Sequence, residues 1–69
     1  AQPYVYLVQG KILNQQKGYK NALSILKSGI DFVIEDEMEQ DFYKEIAKSY
    51  KGLGNLKEEK KYLKKLNKD

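Results

Sequence analysis

The feature that most constrains this 69-residue chain is an internal repetition. The pattern Tyr6-x-x-Gln9-Gly10-x-x-Leu13, a break, then Tyr19-x-x-Ala22-x-x-x-Leu26-x-x-Gly29 is followed by a second version of itself. That version reads Tyr43-x-x-Ile46-Ala47-x-x-Tyr50, a break at Gly54, then Leu56-x-x-Glu59-x-x-x-Leu63-x-x-Leu66. Gly10 and Ala47, Ala22 and Glu59, and Leu26 and Leu63 each stand 37 positions apart. A unit this short cannot bury its apolar face alone and must bury it against its neighbour. Inside each unit the apolar residues recur at three- and four-residue spacing, the period of an amphipathic helix and not of a strand.

Four helices follow from this spacing. Pro3 suits the first turn of a helix, which runs to about Gln16 with Tyr6, Gly10 and Leu13 on one face and Val5, Val8 and Ile12 beside it. Lys17-Gly18 breaks it. A second helix spans about Tyr19 to Ile34 and carries Ala22, Ile25, Leu26, Gly29, Ile30 and Val33; its last stretch, IDFVI, is also rich in strand formers, and a strand there is the alternative. Asp36 with Glu39 three residues on is a capping-box variant that opens a third helix near Glu37, burying Phe42, Tyr43, Ile46, Ala47, Tyr50 and Leu53. Gly52 and Gly54 can both end it in a left-handed conformation. Asn55 with Glu58 repeats the cap signal, and the fourth helix shows Leu56, Leu63 and Leu66, flanked by Tyr62, on one face. Such short connections make antiparallel hairpins.

A glycine inside a helix costs about 0.5–1 kcal/mol relative to alanine, so Gly10 needs a reason. The expected reason is a close approach of two backbones, with Gly10 facing Ala22. In the second hairpin Ala47 faces Glu59, which predicts a looser contact with the Glu59 stem packed and its carboxylate in water. Gly29 is expected to be a close-contact site between successive helices.

Composition removes whole classes of function. The chain has no cysteine and no histidine, hence no disulfide framework, no thiolate metal site and no imidazole base. Glu35, Asp36 and Glu37 lack the D-x-D-x-D-G order of a calcium loop. No catalytic, metal or cofactor residue is assigned, and an enzyme is not expected. The apolar runs fall far short of the roughly 20 residues that cross a bilayer, and the first ten residues have no basic region leading into an apolar one. A chain of this size buries only about 60% of its unfolded surface, so its core is thin.

The net charge of +3 comes from 13 lysines and 10 acids, with no arginine. Asp31, Glu35, Asp36, Glu37, Glu39 and Asp41 cluster in mid-chain, and Lys57, Lys60, Lys61, Lys64, Lys65 and Lys68 crowd the end. Lysines near a helix C-terminus complement its macrodipole. The alternative function they raise is a basic module for nucleic acid or an anionic membrane surface; the missing arginine weighs against nucleic acid.

The repeated large-x-x-large-small-x-x-large helix followed by a small-x-x-x-Leu helix resembles the tetratricopeptide repeat (TPR) family over nearly the whole chain. The resemblance implies an all-α fold of four helices, two antiparallel hairpins stacked as a short right-handed solenoid, with repeat one at about 3–35 and repeat two at about 37–67. Two departures stand out: Glu59 at a small position, and a period of 37 where the family has about 34. The extra residues predict a second helix longer by about one turn, as in the longer-helix TPR variants of regulatory and trafficking scaffolds. A pair of helical hairpins unrelated to that family is the alternative.

The resemblance also implies a protein–protein interaction module that binds an extended peptide or a partner helix on the surface lined by its first helices. That groove would present Tyr4, Leu7, Lys11, Asn14 and Gln15 from the first hairpin and Asp41, Lys44, Lys48 and Lys51 from the second. Its lysines suit an acidic peptide or a peptide carboxylate, or are simply a solvated face. The carboxylate clamp of chaperone-binding TPRs is not carried over, because Leu7, Lys11 and Glu45 stand where that clamp has Lys, Asn and Asn. Solenoids of this kind usually have about three repeats and a polar cap. The ridge of Leu56, Leu63 and Leu66 is therefore expected to be covered, by a second copy in a homodimer through the last helix or by further sequence of a larger protein.

Overall fold

The computed structural model describes residues 2–66. Lys68 of the basic tail and Asn67, the last residue of the expected second repeat, lie outside the described residues. The described chain is all-helical: α1 is Pro3–Gln15, α2 Tyr19–Ile30, α3 Asp36–Gly52 and α4 Leu56–Leu66. No strand occurs among the described residues.

The two hairpin turns are the same structure used twice. Lys17 and Gly54, the pair at the 37-residue offset, are the left-handed residues, with φ of 65° and 79°. Around them the backbone bonds recur at the same offset. The Gly18 N–H donates to the Leu13 carbonyl over 2.7 Å, as Asn55 does to Tyr50 over 2.9 Å. Lys17 donates to Asn14 as Gly54 does to Lys51, and Ala22 to Gly18 as Glu59 does to Asn55. Glycine takes this conformation without strain, whereas lysine carries a Cβ penalty of about 1 kcal/mol or more. Lys17→Gly is accordingly expected to stabilise the chain by about 0.5–1 kcal/mol, read as a higher urea midpoint at unchanged slope.

The helices pack α1 on α2, α2 on α3, α1 on α3 and α4 on α3. The core therefore sits among the first three helices: Leu7, Ala22, Leu26, Phe42, Ile46 and Tyr50 are buried, with Tyr6, Leu13, Leu23, Ile30, Val33, Met38 and Tyr62 against them. No residue of α4 is fully buried. Gly10 does make room for a close approach, and the side chain nearest to it is that of Leu26. A Cβ there would lie 2.3 Å from Leu26 Cδ2. Gly29 serves both hairpins, since a Cβ there would lie 2.3 Å from Tyr6 Cβ and 3.1 Å from Phe42 Cε1.

Several expected boundaries move. α2 ends at Ile30 and not Ile34, and the rest of the IDFVI stretch, Asp31 to Ile34, is neither helix nor strand. Phe32 and Val33 donate to the carbonyls of Gly29 and Ile30 in tight turns, and the Phe32 ring stacks on Tyr6 at a centroid distance of 6.2 Å. Aromatic and β-branched residues are poor helix formers, and here they leave the helix to cover α1. The extra length thus lies in the α2–α3 connection and the first turn of α3, because Asp36 opens α3 while Pro3 maps by the offset onto Gln40.

The capping box at Asp36 does not form. Glu35 is the N-cap without a side-chain bond, and Asp36, Glu37 and Glu39 lie in the first turn, where they oppose the positive end of the macrodipole. The Asn55 cap does form, its Oδ1 accepting from the Glu58 N–H over 3.2 Å. Gly52 stays helical, and its missing side chain leaves space for the Tyr19 ring, which a Cβ would approach to 2.4 Å. Leu53, expected in the core, is exposed, because α3 has ended by that point. Glu59 is half-buried and borders the same surface of α4 as Leu56, Lys60 and Leu63.

Candidate functional site

The outer faces of α1 and α3 enclose a groove of about 630 Å³. Lys11, Asn14 and Gln15 line it from α1, Tyr19 from the start of α2, and Glu45, Lys48, Lys51 and Gly52 from α3. Its floor is a buried polar network. The Ser49 hydroxyl donates to Asn14 Oδ1 over 2.7 Å, and the Asn14 amide donates to the Glu45 carbonyl at 3.0 Å and to Glu45 Oε1 at 3.1 Å. Lys48 Nζ closes it with a 3.1 Å bond to Glu45 Oε2.

A buried carboxylate is costly unless it is paired and hydrogen-bonded. Glu45 is both: one oxygen faces an amide donor and the other an ammonium. No buried side-chain nitrogen or oxygen among the described residues lacks a partner. The network ties α1 to α3 in one register and so sets the width of the groove. Above this floor the field is positive, since Lys11 and Lys51 have no carboxylate partner among the described residues.

The structure brings Lys11, Asn14, Gln15, Lys48 and Lys51 together as expected neighbours of one groove. It does not bring Leu7, which is buried in the core because it shares the inward stripe of α1 with Gly10 and Asn14. Tyr4 and Lys44 are exposed and Asp41 half-exposed, outside the groove lining. Sequence reasoning missed Tyr19 as a wall, Gly52 as the space it fills, and Glu45 and Ser49 as the floor. The only available signal was Glu45-x-x-x-Ser49, two polar residues one turn apart on a helix otherwise apolar on its inner side.

The ridge of α4 is a second surface. Leu56 and Leu63 stand exposed among Lys57, Lys60, Lys61 and Lys64, while Leu66 is half-buried. The opposite side of α4 is held by aromatic packing, Tyr62 lying 5.8 Å from Tyr50 and 5.9 Å from Tyr43 between centroids. Lys65 Nζ sits over Tyr43 at 5.5 Å and Lys27 Nζ over Tyr50 at 5.2 Å. Burial, with Glu39 beside it, raises the Tyr43 hydroxyl above its ordinary pKa; the hydrogen bond to Tyr50 raises the Lys27 ammonium. At least these two lysines are thus engaged in the fold.

Among the described residues, no helix is long and apolar enough to cross a membrane, and no group of three or more acidic, histidine or cysteine side chains is placed to hold a metal ion. No family model, curated protein or solved structure matches the chain.

Proposed function

We propose that the chain is a protein–protein interaction module on a TPR-like scaffold, two hairpins stacked as a short right-handed solenoid, whose α1/α3 groove takes an extended acidic peptide. The observation that carries this reading is a pre-built groove with a satisfied polar floor and, at its rim, lysines that have no carboxylate partner among the described residues. The repeated turn and the side-by-side placement of α1 and α3 support the scaffold. Because the floor needs no ligand to satisfy it, the groove is already in shape, and binding loses little to reorganisation. Lys11 and Lys51 would meet carboxylates as point charges, the Gln15 amide would donate to a peptide carbonyl, and the Tyr19 ring would offer an apolar wall.

The test is fluorescence anisotropy with a labelled peptide of alternating acidic and apolar residues. Paired Lys11→Glu and Lys51→Glu changes are expected to weaken binding more than about tenfold, roughly 1.4 kcal/mol. Alanine at Lys60, Lys61, Lys64 and Lys65 should leave it within about twofold. The reverse outcome, with tight binding of duplex DNA or anionic vesicles that only the α4 changes abolish, would make the last helix the functional surface and end the groove reading.

A further inference from the structure

We infer that the two ends of the stack are docking faces for one another, so that a second copy of this chain adds head to tail through the α1 face of one copy and the α4 ridge of the next. The inference rests on the repeated hairpin and goes beyond the groove: loss of peptide binding would leave it standing.

Within the chain, the contacts that seat α3 on the first hairpin include three that can be followed through the repeat. Phe42 packs at Gly29, Glu45 and Ser49 bond Asn14, and Gly52 lies under Tyr19. The hairpin turns define a displacement of 37 residues that carries one hairpin onto the other. Moved back by that step, the seating face of α3 becomes Val5, Val8 and Ile12 on α1. These lie on one helical stripe, and Val5 and Ile12 are 49% and 47% exposed. Moved forward, the receiving face of the first hairpin becomes Lys51, Leu56 and Leu66, with Leu63 in the place of Leu26. Leu56 and Leu63 are 65% and 42% exposed. Each end therefore shows one half of an interface that the chain already makes once internally.

The halves also fit in size and polarity. Inside the chain a large Phe42 meets Gly29; between copies a smaller Val5 meets Leu66, so bulk removed from one side returns on the other. The same exchange turns Tyr19 over Gly52 into Leu56 against Gln15. The polar floor has no counterpart, because Val8 and Ile12 replace Glu45 and Ser49. Lys51, in the place of Asn14, lays its methylene stem over them and keeps its ammonium in water. Such a contact is heterologous: it uses two different faces and leaves one of each unfilled, so it grows open chains and not a closed dimer. It would also run the groove on from copy to copy.

The test is analytical ultracentrifugation of the full chain from micromolar to millimolar concentration, with circular dichroism confirming helicity. Wild type is expected to grow in mass with concentration. Ile12→Lys, which sets a cation against Lys51 of the next copy, and Leu63→Lys should each be monomeric at concentrations where wild type associates. Mixed in equal amounts they should form a dimer of twice the monomer mass and nothing larger, since each supplies the face the other lacks. Wild type monomeric throughout, Ile12→Lys associating as wild type does (the mark of α4 pairing with α4), or a mixture that stays monomeric would each overturn the proposal. If either variant loses helicity, Val5→Lys and Leu56→Lys repeat the test at equally or more exposed positions on the same two faces.

Discussion

Phe42→Ala is expected to leave the chain largely unfolded at 37 °C. Phe42 is fully buried and is among the largest fully buried side chains of the core, and truncating such a ring costs about 3–5 kcal/mol through lost transfer energy and the cavity left behind. A domain of this length has a total stability of only about 3–10 kcal/mol. The thin core offers little chance of collapse around the hole, because Leu26, Ile46 and Ala22 beside it are already buried and held by three helices. Urea titration followed by far-UV circular dichroism reads the effect directly. A variant whose midpoint stays near that of wild type would show that Phe42 does not hold α3 to the first hairpin.

The second large effect comes from adding a single methyl group. Gly29→Ala improves helix propensity by about 1 kcal/mol and on that ground alone should stabilise α2. The structure reverses the sign. The new Cβ would fall 2.3 Å from Tyr6 Cβ, an atom fixed to the α1 backbone that no side-chain rotation can move away, and 3.1 Å from the Phe42 ring. α1 must shift from α2, and overpacking of this kind costs about 1–3 kcal/mol, sometimes more. The expected net result is destabilisation of about 1–2 kcal/mol, the clash less the propensity gain, with a lower thermal midpoint. A rise in stability would mean that α1 and α2 do not approach closely at Gly29.

Much of the scaffold was legible beforehand. The helical period and the break at Lys17-Gly18 located α1 and the start of α2, and Asn55 marked the start of α4, because these signals are local: a left-handed residue, a cap and an apolar stripe act over a turn or two of chain. The connection 31–35 was not legible. Phe32, Val33 and Ile34 are all suited to burial, and only the proximity of Tyr6 shows that Phe32 leaves the helix to stack there while Ile34 stays 94% exposed. Asp36 looked like a cap and proved to be a first-turn charge, a difference of one residue that helix-end signals rarely resolve.

The candidate groove divides in the same way. Lys11, Asn14, Gln15, Lys48 and Lys51 can be placed along one groove only through the family resemblance, since spacing by itself makes the lysines of α3 no more than a solvated helix face. Leu7 could not be excluded, since the inward stripe of α1 depends on which neighbours it meets. Asn14 is expected as part of the groove lining, and Glu45 and Ser49 are not expected there at all. They become a buried floor only when α1 and α3 are brought side by side, because a buried carboxylate is tolerable only with donors supplied from another element.

By itself the sequence determined that the chain is helical, where two turns fall, and that the second hairpin repeats the first at 37 residues, since those properties follow from interactions between neighbours along the chain. The tertiary structure alone decided which atoms Gly10, Gly29 and Gly52 make room for, which lysines share a groove, and which polar groups are buried beneath it. Those outcomes depend on contacts between residues from 13 positions apart, Gly29 and Phe42, to 35 apart, Asn14 and Ser49, set by how the helices pack and not by any local preference.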